Sequence, residues 1–315
     1  MPLPMPAPPQ SKPAQVISQI AIPRKSVPLA QAEASLLAAL DSGLAPKGES
    51  GLAPKDRAAY QWLLSAATWQ PGAALAIPFP RGAQAREAAA WSAFLAKDEG
   101  DPTALPLTLS GSRLLLWSWM RERDRHAPLP KATRAAVEDR LLEGGPDTLR
   151  GWALRHALCF AVAEKDLTRF TALKANRMDM APDTFTSSQS LFALLDGPSP
   201  AFRLWRLPDL AYDDTPLGSL GARSVWICPP GIPVPQGAAW IIPSATGGQN
   251  GREADLDPGM KAEARALLPE LHGRAAWFAA SKETFESYGL QWFPILIELD
   301  EDGNLRSVKM GDAAP

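Results

Sequence analysis

The amino-acid sequence predicts an α+β chain of two domains, an irregular α-helical N-terminal domain followed by an α/β C-terminal domain. Three observations carry that expectation. Apolar residues recur at three and four spacing through roughly residues 28–195, short β-rich runs take over from about residue 200, and proline or glycine punctuates nearly every boundary. A chain of 315 residues is long enough for two ordinary domains, each with its own core. The expected segments are a Pro-rich extended arm over 1–27, a helical domain over 28–197 and an α/β domain over 198–315.

Composition narrows the class of partner. With 32 Lys+Arg against 34 Asp+Glu, and a formal net charge of −2, the chain has no basic excess to neutralise phosphates, so nucleic acid is not an expected partner. The 32 prolines are about twice the usual share and imply short elements joined by stiff turns. Eleven tryptophans beside three tyrosines imply large apolar contacts, in a core or at an interface. Trp117, Trp119 and Trp152 are expected as core contacts. No apolar run approaches the ~20 residues of a membrane span, so no direct span is expected. The opening MPLPMPAPPQSKPAQ has neither the basic nor the apolar region of a signal peptide. Location is therefore read as periplasmic if a signal has been removed, and otherwise cytoplasmic.

Within the helical part, Pro28–Leu40 places Leu36, Leu37 and Leu40 on one face, and SGLAPK occurs twice between Ser42 and Lys55, which reads as loop. Helical spacing continues over Asp56–Ala67, Gln84–Lys97, Ser112–Arg123, Lys131–Glu143 and Asp147–Glu164. Ser110 or Ser112 is the expected cap of the helix that runs to Arg123, and Asp147 the cap of the helix it opens.

The C-terminal part reads as an extended lead-in over Phe202–Leu210, a turn over Thr215–Leu220 and a strand over Arg223–Cys228. A second strand over Ala238–Ile242 precedes a loop from Pro243 to Pro258 and a helix over Met260–Leu268. A strand over Arg274–Ala280 follows, then a short helix over Lys282–Tyr288 with Ser281 as its cap. Pro294 opens an apolar run to Asp300, Glu301-Asp302-Gly303-Asn304 makes a hairpin turn, and Leu305–Met310 returns.

This order, and above all YGLQWFPILIELDEDGNLRSVKMG over 288–311, resembles the thioredoxin-like superfamily. Phe202–Cys228 is similar to the lead-in of peroxiredoxins and TlpA-type thioredoxins. The resemblance covers about a third of the chain. It implies a cis bond before Pro294, with Trp292 and Phe293 beside it as binding residues. The dithiol loop of the family would follow the central strand. With Ala238–Ile242 in that place, the implied surface includes Trp240, Ser244 and Thr246, and no cysteine. In the alternative register Ser224–Ile227 is central and Cys228-Pro-Pro-Gly231 stands where TlpA-type proteins have Cys-Pro-Pro-Cys.

Either way a Cys-x-x-Cys is missing, and with it the resolving thiol that disulfide exchange needs. Trp277–Asp300 is also loosely similar to F-type conjugative pilus-assembly proteins, which implies a cell-envelope assembly, secretion or conjugation component that binds other proteins. The alternative function is a monothiol oxidoreductase or peroxidase acting through Cys228. Cys159, in an apolar run, reads as a buried thiol. His126, His156 and His272 are not at ligand spacing, and the glycine-rich Gly247–Gly251 lacks the Lys-Ser/Thr of a phosphate loop. No metal or cofactor is expected.

Overall fold

The computed structural model describes residues 26–315 except 47, 49, 50, 80, 98, 99, 246–255, 272, 273, 281 and 282. The expectations for most of the N-terminal arm, for Thr246, His272 and Gly247–Gly251, and for Ser281 as a cap lie outside the described residues.

A helical region comes first: α1 (Leu29–Asp41), α2 (Arg57–Ala67), α3 (Pro71–Leu75), α4 (Ala83–Lys97), α5 (Ser110–His126), α6 (Lys131–Leu142), α7 (Asp147–Ala163), α8 (Leu167–Arg177) and α9 (Pro182–Leu194). Their apolar stripes meet in one core around Trp62, Trp91, Leu115, Leu116 and Met120. Trp117 and Trp119 are buried as expected, while Trp152 is half-buried and donates its indole N–H to Asp41 at 2.8 Å. Three helices, α3, α8 and α9, lie beyond those the periodicity marks. Asp166 opens α8 by accepting from the Arg169 amide at 2.9 Å, and Pro182 stands in the first turn of α9, where a missing N–H costs nothing.

Two caps differ from expectation. Neither Ser110 nor Ser112 caps α5, whose N-cap residue is Leu109. The carboxylate of Glu87, reaching across from α4, accepts from the amides of Thr108 at 3.3 Å and Leu109 at 3.1 Å. Asp147 is the first residue of α7 rather than its cap, after an extended Pro146.

The sheet region contains β1 (Ala201–Leu207), β2 (Ala211–Pro216), β3 (Ser224–Ile227), β4 (Ala239–Pro243), α10 (Pro258–Ala266), β5 (Ala276–Ala279), α11 (Glu283–Glu286), β6 (Ile295–Leu299) and β7 (Leu305–Met310). The strands make one mixed sheet in the order β2-β1-β5-β4-β3-β6-β7. β3, β4 and β5 are parallel, whereas β6 runs antiparallel to β3 and to β7, and β1 antiparallel to β2 and β5. Ala211–Pro216, which the sequence leaves between extended and turn, is the return strand of a hairpin with β1.

Period-two alternation gives the sheet two apolar faces. Val225, Ile227, Ile241, Ile295 and Ile297 face one core, and Trp226, Trp240, Ile242 and Leu296 the other. Helix α7 joins the two regions. Its Leu154, Leu158 and Ala161 belong to the helical core, and Cys159 and Val162 pack under the sheet.

Both cysteines are free and lie in cores on opposite faces of the sheet. Among the described residues no helix is long and apolar enough to cross a membrane, and no group of three or more His, Cys, Asp or Glu could hold a metal ion.

Candidate functional site

Where α7 meets the end of the sheet, the segment Gln291–Pro294 closes one side of a cleft of about 600 Å³, within the usual size of a ligand site. The Phe293–Pro294 bond is cis, and so is Leu207–Pro208. Gly311 ties the cleft together. Its N–H is shared between the carbonyls of Trp292 at 3.0 Å and Pro294 at 2.9 Å. Its φ of +50° is a left-handed conformation that favours glycine, and an added Cβ would meet Trp292 Cβ at 3.4 Å and the Cys159 sulfur at 3.5 Å, at ordinary contact distance. From the helical side, Arg121 binds Asp312 with Nη2 at 2.9 Å and Nε at 3.1 Å from the same Oδ1. That pair spans 191 positions of sequence and links α5 to the turn after β7.

His156 lies at the inner wall of the cleft, with no exposed surface. Its Nδ1 is 2.9 Å from Glu138 Oε1, and its Nε2 is 3.5 Å from Asp124 Oδ2, a separation beyond ordinary hydrogen-bond length. Burial pulls the imidazole pKa down, but the carboxylates of Asp124 and Glu138 outweigh it, and the net direction is upward from 6.5. Glu138 also accepts from Arg169 at 3.1 Å, and Arg169 reaches Asp139 at 2.8 Å. Arg134 pairs with Glu164 and lies 3.9 Å over the Phe160 ring. The network fixes α5, α6, α7 and α8 against one another around the cleft wall.

A second cleft of about 660 Å³ adjoins the first, and Arg155 and Trp292 border both. Its floor is one face of α7, since Thr148, Gly151, Trp152 and Arg155 follow the i, i+3, i+4, i+7 spacing of a helical stripe. Asp41 and the segment Asp179–Ala181 stand at its sides.

The residues singled out in the sequence fall into separate places. Trp292, Phe293 and Pro294 line the first cleft. Trp240 and Cys228 pack in the core on the other face of the sheet, where the Trp240 indole donates to the Cys228 carbonyl at 3.1 Å. Ser244, just past β4, donates to Glu263 Oε2 at 2.8 Å.

β4 is the middle strand of the seven, yet β3 is the strand that pairs with the proline-led β6. Ile227 pairs with Ile295, so Cys228 and Pro294 are the next residues outward on neighbouring strands. No helix follows Cys228 before β4. The thiol is fully buried; burial raises its pKa to about 11, with the Trp240 hydrogen bond opposing. Burial likewise raises Cys159 well above the ordinary thiol value.

Sequence reasoning passed over His156, Arg121 and Arg155 because it tested the histidines only for metal spacing. A signal was present in α6, where Arg134 and Glu138 sit on the stripe of Val137 and Leu141. Charges on an apolar stripe require buried partners.

Together these features define a protein whose helical and sheet regions share a bridging helix and enclose paired clefts around a cis proline. No family model, curated protein or solved structure matches the chain.

Proposed function

We propose that this chain is a non-catalytic binding or scaffold protein. Its sheet region is a redox-inactive thioredoxin-like domain, and the cleft beside Pro294 is its contact surface for other proteins. The observation that carries the reading is the state of Cys228. A fully buried thiol with a pKa of about 11 leaves on the order of one molecule in ten thousand ionised at pH 7, and the thiolate is the nucleophile in disulfide exchange. No second cysteine stands within reach to resolve a mixed disulfide, since Cys159 lies across the sheet. Membership of a cell-envelope assembly, secretion or conjugation apparatus rests on the resemblance of Trp277–Asp300 alone.

The rival reading, a monothiol oxidoreductase or peroxidase, draws on one observation. Cys228 and Pro294 are next to one another in register across β3 and β6. Alkylation of the native protein at pH 6 and pH 8, followed by mass spectrometry with Cys228→Ser as control, separates the two. Protection at both pH values is expected. Rapid labelling at pH 6 would establish a stabilised thiolate and replace the scaffold reading with the enzymatic one.

A further inference from the structure

We propose that the two clefts form a single groove that takes an extended peptide segment of a partner protein, with an acidic side chain of that segment bound to Arg155. This deepens the binding reading above and rests on it.

The first argument is continuity. Arg155 and Trp292 line both clefts, so the two meet at these side chains, one lying along the α7 stripe from Thr148 to Arg155 and the other reaching Pro294. Seven residues of helix between Thr148 and Arg155 span about 10 Å. An extended chain covers that distance with three or four residues at ~3.3 Å each. Indole and ring surfaces are distributed along the path, with Trp152 at one end, Trp292 in the middle and Phe293 at the other. These flat faces suit apolar side chains on either side of a central charge.

Charge accounting supplies the second argument. Four of the acids around the groove already have a partner. Asp41 accepts from the Trp152 indole at 2.8 Å, Asp147 is paired with Arg150, and Asp312 is paired with Arg121 at 2.9 Å. Asp124 accepts from the Leu129 amide at 2.8 Å and faces the His156 ring. Arg155, half-buried at the junction of the clefts, makes no hydrogen bond or ion pair among the described residues. Asp179 is exposed and lines the second cleft but not the Pro294 cleft. The uncommitted charge at the middle of the groove is therefore positive, and a carboxylate is the group that completes it, with the bidentate geometry guanidinium favours. Arg125, held to Glu122 only at 3.6 Å, adds to the positive field at the cleft mouth. A basic peptide would meet Arg155 and the loosely held Arg125, which disfavours the opposite polarity.

The test uses the full chain and a fluorescein-labelled pentapeptide with a central glutamate between leucine and phenylalanine, beside counterparts with glutamine or lysine at the centre. Fluorescence anisotropy is expected to show saturable binding of the glutamate peptide at least tenfold tighter than either counterpart, weakening as salt rises. Arg155→Gln should abolish the preference for glutamate, and Arg155→Lys should retain part of it. The indole N–H resonances of Trp152 and Trp292 should shift on titration, which places the peptide in the groove. Equal affinity for the three peptides, a preference that survives Arg155→Gln, or unmoved indole signals would each overturn the proposal. Failure of the wider scaffold reading has a different signature, rapid alkylation of Cys228 at pH 6, so the two are told apart.

Discussion

The helical region buries Glu87, Arg134, Glu138 and His156 among its tryptophans and leucines, whereas the buried polar side chains of the sheet region, among the described residues, are Ser199 and Ser244. The contrast follows from how each kind of element satisfies its backbone. Strands pair their peptide groups with neighbouring strands, so register is set by the ladder and by the alternation of isoleucines and tryptophans, and the side chains between layers can be wholly apolar. Helices satisfy their peptides internally except at their ends, and nothing in the backbone fixes one against the next. In this protein, charged side chains do that work. Glu87 holds the start of α5 from α4, and Glu138 holds His156 and Arg169 from α6. The teaching is that the two regions should fail differently when they are cut.

The largest expected effects break the two cores by their own means. Phe278→Ala, at a fully buried ring in the sheet, should cost about 3–5 kcal/mol in urea unfolding through a cavity alone, with little dependence on pH. Glu138→Ala should cost a similar ~3–5 kcal/mol by a different route, leaving His156 and Arg169 without their shared carboxylate. If Glu138→Ala proved as mild as a surface change, the view that charge positions the helices would fall.

A smaller loss, about 1–3 kcal/mol, is expected for Glu87→Ala, which strips the acceptor from the amides that precede α5. Hydrogen exchange should show the first turn of α5 opening before the sheet does.

The comparison is sharpened by pH. The folded state holds the His156 proton more tightly than the unfolded chain, whose histidines titrate near 6.5. Its stabilisation is therefore complete below about 6.5 and is lost as pH rises through the higher folded value. Urea midpoints should fall over that window in the parent protein, and His156→Gln should remove this part of the slope. The smallest effect belongs to Arg121→Gln. The Arg121–Asp312 pair is partly exposed, so its loss should cost under about 1 kcal/mol, yet it should raise exchange at the Gly311 amide beside the cleft.

Much of the fold is legible in order along the chain. Lys131–Glu143 against the observed Lys131–Leu142, and Leu305–Met310 with identical bounds, show that periodicity and punctuation locate elements well. The Asp300 carboxylate, accepting from Asn304 N at 2.8 Å, makes the hairpin turn expected at Glu301–Asn304. Elements fail to register in the sequence when their stabilisation is not periodic, as with α8, set by the Asp166 cap, and with β2, set by pairing to β1. The expected cap of α5 fails for a related reason, because a side chain 21 or more positions away can meet the need of a helix start, whereas α7 starts after the extended Pro146 with no side-chain cap.

Of the candidate site, Trp292, Phe293 and Pro294 are readable because a proline opening an apolar strand is a local mark. Trp240 and Ser244 are readable only as neighbours of a strand end, and the sheet turns them away from the cleft. By itself, then, the sequence determined most of the helices and strands, that no disulfide chemistry of the Cys-x-x-Cys kind is available, and that a proline leads a strand into the final hairpin. Tertiary structure decided the strand order, the burial of Cys228, the ion network around His156 and the two clefts that Arg155 borders. Those features join residues tens to hundreds of positions apart, and long-range proximity leaves no period, cap or turn signature in a single chain.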